Sequence, residues 1–220
     1  MVAPTIACVI IASERRKALV CDRVLHSVVG QMDFDEMVVV GDWQDSEDAL
    51  FAGVRYLCVE PMLRNTTDAL VKRDVGTLAT RADILVYLCD DHALAPNFLT
   101  ELREVINEEW DVVVPNRYCR RGDLGMDDNG NVGPANSRTF HHPAPIVALN
   151  NGERDGYCGG HAGIFRRAVI QQRPWSAHSH NRLWDVTSSH DMQRAGAKFC
   201  WSPRAGIAVI DLEPDREPWK

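Results

Sequence analysis

The sequence predicts a three-layer α/β/α sandwich with helices packed on both sides of a mostly parallel central sheet. Three observations carry this reading. Apolar runs of strand length alternate with helix-period segments through the first half of the chain. Several runs are continuously hydrophobic, as strands buried on both faces are. The runs then break off into polar or acidic residues at Ala12-Ser13-Glu14, Gly41-Asp42 and Cys89-Asp90-Asp91-His92. In open α/β sheets that is the edge where ligands are held.

The elements follow in order. Ile6 to Ile11 is a buried strand. Val20, Val24, Leu25 and Val28 mark one face of a helix that stops near Gly30. Met37 to Val40 and Arg55 to Val59 are the next two strands. Leu70, Val71, Val75 and Leu78 line a second helix, with Thr66, Thr67 and Asp68 as capping candidates. Ile84 to Leu88 is the fourth strand. Pro96 suits the first turn of a third helix, whose Leu99, Leu102, Val105 and Ile106 share a face. Val112 to Val114 is a further strand. Beyond Pro115 the chain turns rich in Gly, Asn, Asp, Pro and Arg, and residues 117–160 read as one long irregular loop. Regularity returns over 163–170 and 184–196, and short strands are expected at 198–201 and 206–210.

The 220 residues suffice for one domain, 1–220, with a first half at 1–114 and a second half at 115–220. A net charge of −7 gives no strong sign of nucleic-acid binding. No apolar run reaches transmembrane length, and the first residues lack a signal peptide's basic region. Seven scattered cysteines without an export signal fit reduced thiols and a cytoplasmic protein.

Asp90 and Asp91 offer oxygen ligands of the kind Mg²⁺ or Mn²⁺ takes beside substrate phosphates. They serve equally well to begin a turn and cap the following helix. No GxGxxG or P-loop is present, which weighs against dinucleotide and P-loop sites.

A set of ordered landmarks resembles a known pattern. These are Val9-Ile10-Ile11-Ala12-Ser13-Glu14-Arg15 with Ser27 and Gln31, then Met37 to Asp42, then Lys72-Arg73-Asp74-Val75-Gly76 with Ala79 and Asp83. Leu88-Cys89-Asp90-Asp91-His92 with Pro96 and Leu99 comes next, and Trp184-Asp185 with Arg194-Ala195-Gly196 closes the series. Together they resemble the large inverting, family 2-type nucleotide-sugar glycosyltransferases of the GT-A (Rossmann-like) fold. The resemblance implies a UDP- or GDP-sugar donor and a hydroxyl acceptor of unknown identity. It implies Mn²⁺ or Mg²⁺ at a DXD-type motif, with Asp91 as primary ligand and Asp90 as second ligand or ribose partner. It implies nucleotide-sugar contacts from Ala12, Ser13, Glu14, Asp42, Arg73 and Asp90, and Asp185 as general base. The loop 117–160 would lie near the acceptor, with His161 and Trp184 as acceptor contacts. Four departures stand out: Cys89, His92, Gly41 and Trp184 occupy places where the family commonly carries acids.

Other readings remain open at this point. Cys89-Asp90-Asp91-His92 and Cys158-Gly159-Gly160-His161 are both C-x-x-H and can be combined into a zinc site. A GT-A-like nucleotidyltransferase is disfavoured because the loop after the first strand lacks glycine. A non-catalytic nucleotide-sugar-binding module is motivated by Cys89 and Trp184.

Overall fold

The strand β1 (Ile6–Ile11) is buried along its whole length. Ile6, Cys8 and Ile10 enter one hydrophobic core, while Ala7, Val9 and Ile11 enter another. A strand that feeds two cores must lie inside a covered sheet. In the computed structural model, which describes residues 3–31, 33–44, 53–61, 65–120, 137–140, 162–178, 184–201, 204 and 206–212, β1 is such a strand. It pairs in parallel with β2 (Glu36–Gly41) on one side and β4 (Ile84–Cys89) on the other. β3 (Val54–Cys58) continues the parallel pairing beyond β2.

On the far side of β4 lies β9 (Ala162–Arg166), antiparallel to both β4 and β6 (Val112–Val114). β10 (Phe199–Trp201) closes that edge, parallel to β6. The seven-stranded order is β3-β2-β1-β4-β9-β6-β10. β5 (His92–Leu94), β11 (Ala208–Asp211), β7 (Asn116–Arg120) and β8 (Ser137–Phe140) form a second sheet in that order. The expected irregular stretch 117–160 thus contains two strands at its described positions. Their regularity comes from pairing with β11 and with each other, which no local periodicity signals. The expected strand at 206–210 begins at Ala208.

Helices cover both faces, as a largely parallel sheet requires. On the first face runs a helical segment, 14–29. It opens as a 3₁₀ turn (Glu14–Arg16), then α1 (Lys17–Leu19), a π turn (Val20–Val24) and α2 (Leu25–Val29), and ends at Gly30. Val20, Val24, Leu25 and Val28 are all buried there, together with Phe98, Leu99, Leu102 and Val105 of α4 (Phe98–Val105). Pro96 precedes α4 rather than opening it, and Asn97 stands at the N-cap position without a side-chain capping hydrogen bond. The opposite face carries α3 (Asn65–Ala79), α5 (Arg167–Gln172) and α6 (Trp184–Arg194). Leu70, Ile170 and Met192 from these helices join the second core.

α3 corrects one expectation. Of the predicted face, Leu70 is buried and Val75 packs against the second core, but Leu78 is 85% exposed. The inward residues are Leu70, Lys72, Arg73, Gly76, Thr77 and Thr80. This face follows a helical period, but two of its members are cations, which an apolar pattern cannot reveal. Gly76 lets α3 approach β1 closely: a Cβ there would collide with Val9 Cγ1.

Candidate functional site

From β1 the chain steps outward through β2 and β3, then crosses back to β4 on the other side of β1. Reversals of this kind leave a crevice beyond the C-terminal strand ends. Here the crevice is a cleft of about 290 Å³, lined among others by Ala12, Ser13, Glu14, Asp42, Lys72 and Asp90. Residues far apart in sequence meet there because their strands are adjacent and parallel.

Asp90 is nearly buried. Its Oδ2 accepts from the Ser13 backbone N–H at 2.9 Å and from Ser13 Oγ at 2.6 Å. Its Oδ1 lies 2.6 Å from Arg16 Nη1. The same guanidinium nitrogen stands 2.9 Å from Asp91 Oδ2. Asp91 Oδ1 is 2.6 Å from His92 Nδ1, and the Asp91 carbonyl accepts from the Leu212 N–H at 2.8 Å. His92 is a buried residue of β5, held by the pairing of β5 with β11. The Asp91 side chain keeps 23% of its surface exposed, the most open carboxylate of this pair.

A second cluster stands across the cleft. Lys72 is 1% exposed, and its Nζ lies 2.9 Å from Asp42 Oδ2, 2.5 Å from Asp68 Oδ2 and 2.9 Å from the Ala12 carbonyl. Asp42 Oδ1 accepts from the Glu14 N–H at 2.5 Å. The ammonium therefore ties the ends of β1 and β2 to α3.

Behind β4 lies Arg73, 2% exposed. Its guanidinium carbon is 5.2 Å from the Tyr87 ring, 5.2 Å from Trp175 and 4.9 Å from Trp184. Its Nη2 is 3.9 Å from Cys89 Sγ. Trp184 also meets Trp175 edge-on at 5.8 Å. Trp184 opens α6, so this cage fixes the first turn of the helix in which Asp185 stands. Asp185 is half-buried, and its backbone carbonyl accepts from Ser188 Oγ at 3.1 Å. Burial pushes the Cys89 thiol up to about 12. The other half of the zinc reading, Cys158-Gly159-Gly160-His161, lies outside the described residues.

The structure thus brings Ala12, Ser13, Glu14, Asp42 and Asp90 to one cleft, while Asp91 is tied to Asp90 through Arg16 and is not in the cleft lining. Arg73 sits under the aromatic rings, away from the lining of the cleft, and Trp184 is part of its cage. His161 lies outside the described residues. Arg16 and Lys72 were missed. Arg16 follows Ser13 by three residues, and Lys72 adjoins Arg73, but only folding reveals that both face carboxylates. Among the described residues, no group of three His, Cys, Asp or Glu side chains is arranged to hold a metal alone.

The fold is that of the GT-A glycosyltransferases. The chain is similar to the mannosyltransferase PcManGT from Pyrobaculum calidifontis, solved in complex with GDP-Man and Mn²⁺. The TM-score is 0.65 at 15% identity, over 99% of this chain and 59% of that one. It is also similar to TarS from S. aureus, with a TM-score of 0.62 at 15% identity, over 94% of this chain and 36% of that one. The chain thus spans less than two thirds of either neighbour. No protein-family model and no curated protein matches the sequence. At this identity the likeness is one of fold.

Proposed function

We propose that this chain is a metal-dependent glycosyltransferase that moves a sugar, with inversion, from a nucleotide-diphosphate sugar to an acceptor hydroxyl. The observation that carries the proposal is the partly exposed Asp91 carboxylate two residues past β4, joined through Arg16 to Asp90 in the lining of a switch-point cleft. A fold shared with a neighbour solved with GDP-Man and Mn²⁺ supports it.

The residues fit a divalent ion of the Mn²⁺ or Mg²⁺ type. Asp91 would hold it, with donor phosphate oxygens and water as the other ligands, which suits ions that bind through one or two carboxylates. Asp90 accepts three bonds from Ser13 and Arg16 and holds the motif in place, while the more exposed Asp91 would exchange its contacts with Arg16 and His92 for the ion. When bound, the ion would neutralise charge on the departing diphosphate. Ser13, Glu14 and Asp42 frame the nucleotide end of the cleft. Asp185, in the first turn of α6, accepts the acceptor's proton as its oxygen attacks the anomeric carbon. Attack from the face opposite the diphosphate inverts that centre. His161 and Trp184 belong to the acceptor side of this reading.

No described helix is long and apolar enough to cross a membrane. The described cysteines 8, 21, 58, 89 and 200 are free thiols, which suits the cytoplasmic setting we propose.

The test separates the two carboxylates. Asp91→Asn should weaken Mn²⁺-dependent stabilisation by UDP, GDP and their sugars in thermal unfolding. Asp185→Asn should keep that stabilisation and lose donor turnover. Wild-type turnover in the Asp185 variant removes it as the base. A wild-type protein stabilised by a nucleotide-sugar, yet inert toward a broad acceptor panel, favours the non-catalytic binding module that Trp184 and Cys89 motivate.

A further inference from the structure

We infer that Arg16 is a built-in counter-ion of the Asp90–Asp91 pair that makes divalent-ion binding at Asp91 conditional on the donor. This rests on the proposed metal-dependent reading and adds a residue that the family resemblance did not assign.

One nitrogen of Arg16 stands between two carboxylates, 2.6 Å from Asp90 Oδ1 and 2.9 Å from Asp91 Oδ2. The guanidinium is 9% exposed, so water screens it poorly. Its backbone is fixed as well, because the Arg16 N–H donates to the Ser13 carbonyl at 2.9 Å. Ser13 in turn is bonded twice to Asp90. Arg16, Ser13 and Asp90 therefore form a closed unit that joins the end of β1 to the end of β4.

Asp91 is the more exposed member. Its side chain is 23% exposed, against 10% for Asp90. Both its oxygens are engaged, one by Arg16 and the other by His92. Two carboxylates against one guanidinium leave a single net negative charge, before His92 is considered. Arg73 adds a further positive charge behind the strand, 3.9 Å from Cys89 Sγ. A dication approaching the free protein meets a half-neutralised motif and a cation already in contact with its ligand. A diphosphate brings the missing negative charge and the missing oxygens together. Asp91 can then leave Arg16, while Arg16 remains on Asp90.

The test measures Mn²⁺ binding without any sugar transfer, from the loss of the free-ion electron spin resonance signal. Wild type, Arg16→Gln, Arg16→Lys and the double variant Arg16→Gln/Asp91→Asn are compared, each alone and with GDP or UDP. Nucleotide without protein is the blank. Wild type should bind Mn²⁺ at least about tenfold more tightly with its nucleotide than without. Arg16→Gln should bind Mn²⁺ alone about tenfold more tightly than wild type, since one adjacent positive charge is gone. Arg16→Lys should behave as wild type, and the double variant should lose the gain.

A folded Arg16→Gln that binds Mn²⁺ no better than wild type overturns the inference, as does a gain that survives Asp91→Asn. Should Arg16→Gln not fold, wild type decides: equal Mn²⁺ affinity with and without nucleotide overturns the role of Arg16 while leaving the metal-dependent reading intact. No Mn²⁺ bound by any of the proteins, with either nucleotide present, defeats both.

Discussion

Replacing Lys72 by Met probes the cation that joins three segments of the cleft. The ammonium has three donors and meets three acceptors, on Asp42, Asp68 and the Ala12 carbonyl. Met keeps most of the stem's volume, so the loss is one of charge and hydrogen bonds. The variant leaves two carboxylates, 13% and 14% exposed, facing one another without their cation. Breaking a buried ion pair by deleting one partner costs about 3–5 kcal/mol. Both carboxylates keep some contact with water, so the lower end, about 3 kcal/mol, is expected here. For a chain of this size that corresponds to a fall in melting temperature of roughly 6–12 °C. Urea unfolding followed by far-ultraviolet circular dichroism at neutral pH measures it, with Asp68→Asn/Lys72→Met as the partner variant. The double variant should recover part of the loss, because one of the two stranded charges is then gone. A loss below about 1 kcal/mol in Lys72→Met would refute the reasoning and place Lys72 among weakly contributing ion pairs.

Two further predictions concern packing and pH. Gly76→Ala should destabilise by about 1–3 kcal/mol, because the added methyl meets Val9 of the central strand with no space to move into. Unchanged urea unfolding would mean that α3 can shift away from β1. Stability should fall as pH rises above the ordinary thiol value of about 8.5. Burial pushes the Cys8 thiol up, Cys89 up to about 12 and Cys200 to about 11, and Tyr56 is likewise raised to about 12. These groups ionise first in the unfolded chain, which then binds fewer protons than the native state, so the slope with pH is negative. A urea midpoint at pH 10 equal to that at pH 8 would contradict this.

The sequence by itself determined the central strands and where they end. β1 and β4 are so uniformly apolar that only a doubly covered position satisfies them, and the chemistry begins at the residue where that apolarity stops. Ser13, Asp42, Asp90 and Asp91 were legible for that reason. The helical stretch 20–29 and α4 were legible too, because their buried faces carry only apolar side chains.

The tertiary structure decided what depends on partners distant in sequence. β5, β7 and β8 are held by backbone pairing across long separations, and hydrophobic periodicity carries no trace of it. β9 runs against its two neighbours, a direction set by the connections and not by its composition. Arg16, Lys72 and Arg73 are charged residues that read as surface in a linear pattern. Each is buried because carboxylates or aromatic rings from other elements surround it, so its place became visible only when those elements met.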